Sequence, residues 1–245
     1  VTAQPIILLA ADTGTSINTV AVCEGMPGLQ PAMRILAENV VDCKRLHSER
    51  LIETVDWTLK EACITLDDVN VLAIAVGPGS FTGLRIGAST WKGLAYSKNL
   101  PLVAVPSLDA MTHLGAFYDA TVCPMLDARM KEVYGAVYRF RAGQREKISL
   151  DRVCPVEDLL TGLTGPVHVL GDGAAVYEER IRACLPKAVF VSGPCAVPRA
   201  SCVAQEAFHL LALGVSTDPE CVAPDYIRPS QAEINRAAQA PTPSS

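Results

Sequence analysis

Gly77-Pro78-Gly79-Ser80-Phe81-Thr82-Gly83-Leu84-Arg85-Ile86-Gly87 is the stretch that decides how this chain folds. It follows an apolar run of strand length at 71–76 and leads into a helix-like run at 84–97. A strand, a glycine-rich turn and a helix leave free backbone N–H groups at the helix N-terminus, where an anion or another backbone can approach closely. The motif differs from the phosphate loop that ends in Gly-Lys-Ser/Thr and from the dinucleotide fingerprint with its three spaced glycines. Along the helix Leu84, Ala88, Trp91 and Ala95 form one apolar stripe, with Gly83, Gly87 and Gly93 nearby. Each glycine costs a helix about 1 kcal/mol relative to alanine. They therefore point to close packing, either on the chain's own sheet or on another molecule.

Upstream, residues 6–11 read as a buried strand, Asp12-Thr13-Gly14-Thr15 as a turn, and residues 19–23 as the returning strand of a hairpin. A loop at 25–31 precedes a third strand at 33–41. Residues 47–64 are an amphipathic helix, with Leu51, Ile52, Val55, Leu59 and Ala62 on one face. A short strand at 102–105 ends at Pro106, which marks a boundary between a first lobe, 1–105, and a second, 106–200. The second lobe begins with a helix at 107–116. Strands at 122–126 and 133–140 follow, joined through Asp127-Ala128-Arg129-Met130-Lys131-Glu132. A strand at 167–170 leads into Gly171-Asp172-Gly173 and a helix at 174–185, with a last strand at 188–191. A helix at 202–214 is placed to return to the first lobe. The final stretch, 236–245, has the composition of a disordered tail. The class is α/β, in two related lobes.

With 49% hydrophobic and 19% charged residues the 245-residue chain can build real cores. A net charge of −5 argues against a protein that grips nucleic acid over a broad basic face by itself. Nine cysteines occur without one Cys-x-x-Cys pair, which reads as reduced thiols in a cytoplasmic protein and not as a zinc site. The N-terminus lacks a signal-peptide pattern, and no apolar run approaches the ~18 residues of a membrane span.

Few residues carry chemistry on their own. Asp12 at a strand end could hold a metal–phosphate complex, with Thr13, Gly14 and Thr15 donating to phosphate oxygens. The plainer reading of the tetrapeptide, an Asx turn in a hairpin, is the preferred one on these four residues alone. Ser80 as a nucleophile would need a base and an orienting acid, and the four histidines are scattered. Thr82 is read as the helix N-cap. Asp127 and Arg129 read first as a structural ion pair beside a cleft. Gly77, Gly79, Gly171 and Gly173 are candidate backbone approaches to a nucleotide. No catalytic residue and no metal ligand is assigned.

Taken in order, several pieces resemble one family. They are the Asp-Thr-Gly-Thr hairpin, the helix opening His47-Ser48-Glu49-Arg50-Leu51, the long glycine motif, and Val105-Pro106-Ser107-Leu108-Asp109-Ala110-Met111. Asp127-Ala128-Arg129 before Glu132-Val133-Tyr134, and Pro224-Asp225-Tyr226-Ile227-Arg228 before Gln231-Ala232-Glu233, complete the set. The chain resembles the TsaB (YeaZ) family of bacterial tRNA threonylcarbamoyladenosine biosynthesis proteins over residues 6–234. The resemblance implies a two-lobed actin-like (ribonuclease H-like) ATPase-type fold. It implies a non-catalytic subunit that partners TsaD, together with the ATPase TsaE, in forming N6-threonylcarbamoyladenosine next to the tRNA anticodon. It also implies a homodimer through first-lobe helices, with tRNA met only through the complex. The TsaD branch holds its metal with two histidines four residues apart; here His47 is followed at that spacing by Leu51. ATP or ADP in the inter-lobe cleft is a candidate ligand. On this reading Leu51, Val55, Leu59, Leu84, Ala88, Trp91 and Ala95 are the expected partner interface.

Two rivals use the same fold. A stand-alone ATP-dependent small-molecule kinase would need a general base and adenosine motifs that only Gly171-Asp172-Gly173 hints at. A metallopeptidase would need the histidine pair.

Overall fold

The computed structural model describes residues 4–43 and 47–228. The strands at 6–12 and 71–77 are apolar at successive positions because both faces of the sheet's centre are covered. β1 (Ile6–Asp12), β2 (Ile17–Gly25) and β3 (Met33–Asp42) form an antiparallel meander. α1 (His47–Glu61) leads to β4 (Val71–Gly77), and α2 (Phe81–Lys98) to β5 (Leu102–Pro106). β4 pairs in parallel with β1, and β5 with β4, giving the order β3-β2-β1-β4-β5. Successive side chains point to opposite faces. Leu9, Val20, Leu72 and Ile74 thus meet Leu51, Val55, Leu59, Trp91 and Ala95 of the two helices. The buried Trp91 donates its indole N–H to the Leu9 carbonyl at 3.4 Å.

α2 begins one residue after Ser80, whose hydroxyl accepts from the Gly83 N–H at 3.3 Å. The cap is therefore Ser80 and not Thr82. The geometry explains the correction, since an N-cap oxygen must reach the free N–H three residues on. Asn99 in the left-handed region (φ 52°) ends the helix.

The second sheet has seven strands. α3 (Ser107–Met111) precedes β6 (Ala120–Asp127), β7 (Val133–Gly135), β8 (Tyr138–Arg141), β9 (Gln144–Lys147) and β10 (Arg152–Cys154). After α4 (Val156–Leu160) come β11 (Val167–Leu170), α5 (Asp172–Val176), α6 (Glu178–Cys184) and β12 (Val189–Phe190). The single strand expected at 133–140 is two strands in one register against β6, with Met125 opposite Gly135 and Ala120 opposite Phe140. That register brings Ala136 opposite Pro124, which has no N–H to give to the ladder. Val137, the next residue, faces the other way: its N–H donates to the Ser149 hydroxyl at 2.9 Å and its carbonyl accepts from the Ile148 N–H at 2.8 Å. The helix expected at 174–185 is likewise broken at Tyr177 (φ −108°, ψ 23°).

α7 (Ala200–Ala212) covers the rear of the first sheet, where Val203, Ala204, Ala207 and Phe208 pack on Leu8, Ala10, Ala73 and Val103. It also ties the two sheets together. Its fully buried Glu206 takes Arg145 of β9 and His113, which follows α3. The tail at 236–245, the Gln231-Ala232-Glu233 segment and the His47 side chain lie outside what is described.

Candidate functional site

The two sheets face one another across a cleft of about 370 Å³. Its floor is the glycine motif docked on the β1–β2 turn. The Ser80 N–H donates to the Gly14 carbonyl at 2.6 Å, and the Thr13 hydroxyl to the Gly83 carbonyl at 2.8 Å. A Cβ on Gly79 would lie 2.6 Å from the Gly14 oxygen, and one on Gly83 2.0 Å from the Thr13 oxygen. The backbone that the glycines admit is therefore the chain's own hairpin turn. Gly14, Thr15 and Ser16, with Gly79, Ser80 and Phe81, face the cavity from this side.

The opposite wall is the end of β6 and the start of α5, with Asp127, Arg129, Tyr134 and Asp172. The Asp172 carboxylate accepts from the Asp127 N–H at 3.0 Å. Asp127 accepts from the Arg129 N–H at 2.9 Å and the Tyr177 hydroxyl at 3.0 Å. Its ion pair with Arg129 spans 3.1 Å, but the Arg129 side chain is 86% exposed. Such a pair contributes little energy. Burial pushes the Asp172 carboxyl above its usual range, against the opposing Asp127 N–H. Asp12, fully enclosed beneath the floor, is pushed up to about 6 by burial, with the Gly14 N–H pulling the other way.

The candidate nucleotide-contacting residues are thus split. Gly14, Thr15 and Gly79 line the cleft; Asp12 and Thr13 are buried below it. Gly77 (φ 122°) lies under the C-terminal segment, 2.7 Å from the Asp225 oxygen if it carried a Cβ. A Cβ on Gly171 would fall 2.1 Å from the Met125 oxygen, and one on Gly173 2.9 Å from the Leu126 carbonyl carbon. These two glycines seat α5 on β6. Among the described residues no three His, Cys, Asp or Glu side chains gather in metal-holding geometry.

The expected partner-interface residues need a correction. Leu51, Val55, Leu59, Leu84, Ala88, Trp91 and Ala95 are all buried in the chain's own core. The stripe is one face of α2, and that face rests on the chain's own sheet. The opposite face carries Thr82, Ile86, Ser89, Gly93 and Tyr96 at helical spacing. Tyr96 is 59% exposed, and a Cβ on Gly93 would meet nothing within 4 Å. On α1 Ile52 and Trp57 are similarly exposed.

Comparison with known proteins adds to this geometry. A family model described as TsaD, tRNA N6-adenosine threonylcarbamoyltransferase, matches residues 34–236. The tRNA threonylcarbamoyladenosine biosynthesis protein TsaB of Bacillus subtilis is 31% identical over 81% of this chain and 87% of its own. Its namesake from Haemophilus influenzae is 35% identical over 72% of this chain and 76% of its own. The solved structure of YeaZ from Pseudomonas aeruginosa, 27% identical, superposes with a TM-score of 0.73 over 90% of this chain and 99% of that one. The fold is the two-lobed actin-like ATPase type.

Proposed function

The chain belongs to the TsaB family of tRNA threonylcarbamoyladenosine biosynthesis proteins, and from that premise we propose that it acts as the accessory, non-catalytic subunit that binds and activates TsaD. The observation that carries this reading is the outward face of α2. Thr82, Ser89 and Gly93 are small, and Ile86 and Tyr96 frame them. A glycine in the middle of an exposed helix weakens it by about 1 kcal/mol. Among the described residues, nothing occupies the space within 4 Å of a Cβ on Gly93. Small residues in a row let a second helix approach closely, and burial of Ile86 and Tyr96 supplies the driving force. The partner on this face is TsaD, or a second copy of the chain when TsaD is absent; TsaE joins the pair.

The cleft supports the accessory role from the other side. Its glycines admit the β1–β2 turn, and Asp12 lies below the floor, so the residues that resemble a phosphate site are engaged in building the lobe. tRNA is met through the complex, as the net charge of −5 suggests.

The test is reconstitution of tRNA modification with TsaD, TsaE and the enzyme that supplies the threonylcarbamoyl adenylate, with and without this chain. Modification should depend on it. Equal modification in its absence, or turnover of ATP with a small-molecule acceptor by this chain alone, overturns the reading.

A further inference from the structure

The C-terminal segment runs beside the cleft and, within four residues, touches cleft-lining residues of both lobes, Phe81 on one side and Ala128 on the other. On the first lobe the Asp225 N–H donates to the Val76 carbonyl at 2.7 Å. The Tyr226 ring lies 4.6 Å from that of Phe81 at the start of α2, and its hydroxyl accepts from Arg85 Nε at 2.8 Å. The Arg85 guanidinium in turn covers the Phe81 ring at 3.9 Å. Arg228, two residues beyond Tyr226, is already on the second lobe. Its Nη1 donates to the Ala128 carbonyl at 2.7 Å, its Nη2 pairs with Glu132, and its guanidinium lies 5.9 Å from the centre of the Tyr134 ring.

Arg228 grips an unusual place. Arg129, Met130 and Lys131 are three consecutive non-glycine residues in the left-handed region, with φ of 62°, 55° and 66°. Side chains disfavour that conformation, and it persists only where the surroundings over-determine it. Here the Ala128 N–H closes the turn on the Glu132 carbonyl at 3.0 Å, Arg180 holds the Lys131 carbonyl at 3.1 Å, and Arg228 holds both ends. The same turn supplies Arg129 to the cleft wall.

We propose that Asp225–Arg228 is a clasp that sets the opening of the cleft and the shape of its left-handed lip. At the rear the lobes are pinned by Arg145 on the buried Glu206, an ion pair shielded from solvent. Motion between the lobes therefore pivots at the back and is widest at the front, where the clasp sits. The Arg228–Glu132 pair is partly solvent-exposed on both sides, so a competing carboxylate or a change in the chain beyond residue 228 can release it. Release frees the lip from its left-handed turn and separates it from Phe81 and Tyr226 in one step.

The test is amide hydrogen exchange on the full-length chain carrying Arg228→Ala, with Glu132→Gln as a second, milder break of the same pair. Amides at 14–16, 79–81 and 127–133 should exchange about tenfold faster or more in both variants, while those of β1, β4 and α7 keep their protection. The charge swap Arg228→Glu with Glu132→Arg should restore part of the protection at 127–133. Unchanged exchange at the cleft, or loosening spread evenly through β4 and α7, overturns the clasp.

Discussion

Arg145 and Glu206 meet side-on at the back of the molecule, Nη2 to Oε1 at 2.7 Å and Nη1 to Oε2 at 2.8 Å, from two different sheets' worth of sequence. His113 Nε2 adds a third hydrogen bond at 2.7 Å. Burial alone would raise the Glu206 pKa; the bonds from His113 and Arg145 outweigh it and hold the carboxyl at about 2. Glu206→Gln leaves the buried guanidinium without its counter-charge and should cost about 3–5 kcal/mol in a urea titration. The paired change Glu206→Leu with Arg145→Met should recover most of that loss. Because the folded-state pKa lies below the ordinary 4.5, the wild type keeps this contribution above pH 4.5 and loses it as pH falls toward 2. Glu206→Gln should flatten that part of the stability profile.

Asp12 behaves in the opposite sense. Its folded-state pKa of about 6 lies above the ordinary 3.8, so the fold has its full stability from this group below pH 3.8 and loses it as pH rises through 6. At pH 8 the buried charge costs about 3 kcal/mol. Asp12→Asn keeps an oxygen for the Gly14 N–H. It should raise the melting temperature by about 5–10 °C at pH 8 and change it little at pH 3. Equal gains at both pH values would show that the Asp12 charge is not the cause.

Glycines on one helix should respond in opposite directions. Gly83→Ala drives a methyl into the Thr13 carbonyl and should destabilise by about 2–3 kcal/mol despite the better helix propensity. Gly93→Ala, with open space above it, should stabilise the isolated chain by about 1 kcal/mol. Thermal or urea unfolding of both variants decides the point.

Docking on α2 is tested at Ser89 and not at Ala88. Ser89→Arg on the exposed face should leave stability within about 0.5 kcal/mol of wild type. It should weaken binding to TsaD, measured by calorimetry, about tenfold or more. Ala88→Arg places a charge in the core and should unfold the first lobe, so lost binding by that variant is uninformative.

Much of the fold was legible because its signals are local. The run of buried residues in β1 and β4, the turn at Asp12–Thr15 and the punctuation at Pro106 each announce their own element. The second lobe was less legible where the deciding partner is distant. Pro124 interrupts β7 and β8 from across the sheet, and nothing in 133–140 itself carries that break. β9, Gln144-Arg145-Glu146-Lys147, has no apolar alternation, since its work is done by Arg145 reaching α7. The stripe on α2 illustrates a different limit. Periodicity identifies the apolar face of a helix but cannot say whether a sheet or a partner covers it. The clasp was visible only as a quoted motif; that Tyr226 and Arg228 join two lobes is a fact about distance, not composition.

The position of α7 along the chain has a consequence for synthesis. The strands of the first sheet are complete by residue 106, yet the helix that covers their rear face spans 200–212. At about 5–20 residues per second the ribosome needs on the order of ten seconds to supply it. During that interval Leu8, Ala10, Ala73 and Val103 lack the cover that Val203, Ala204, Ala207 and Phe208 give them. The lobe made first is therefore sealed last, and the nascent first lobe is the species a chaperone would meet.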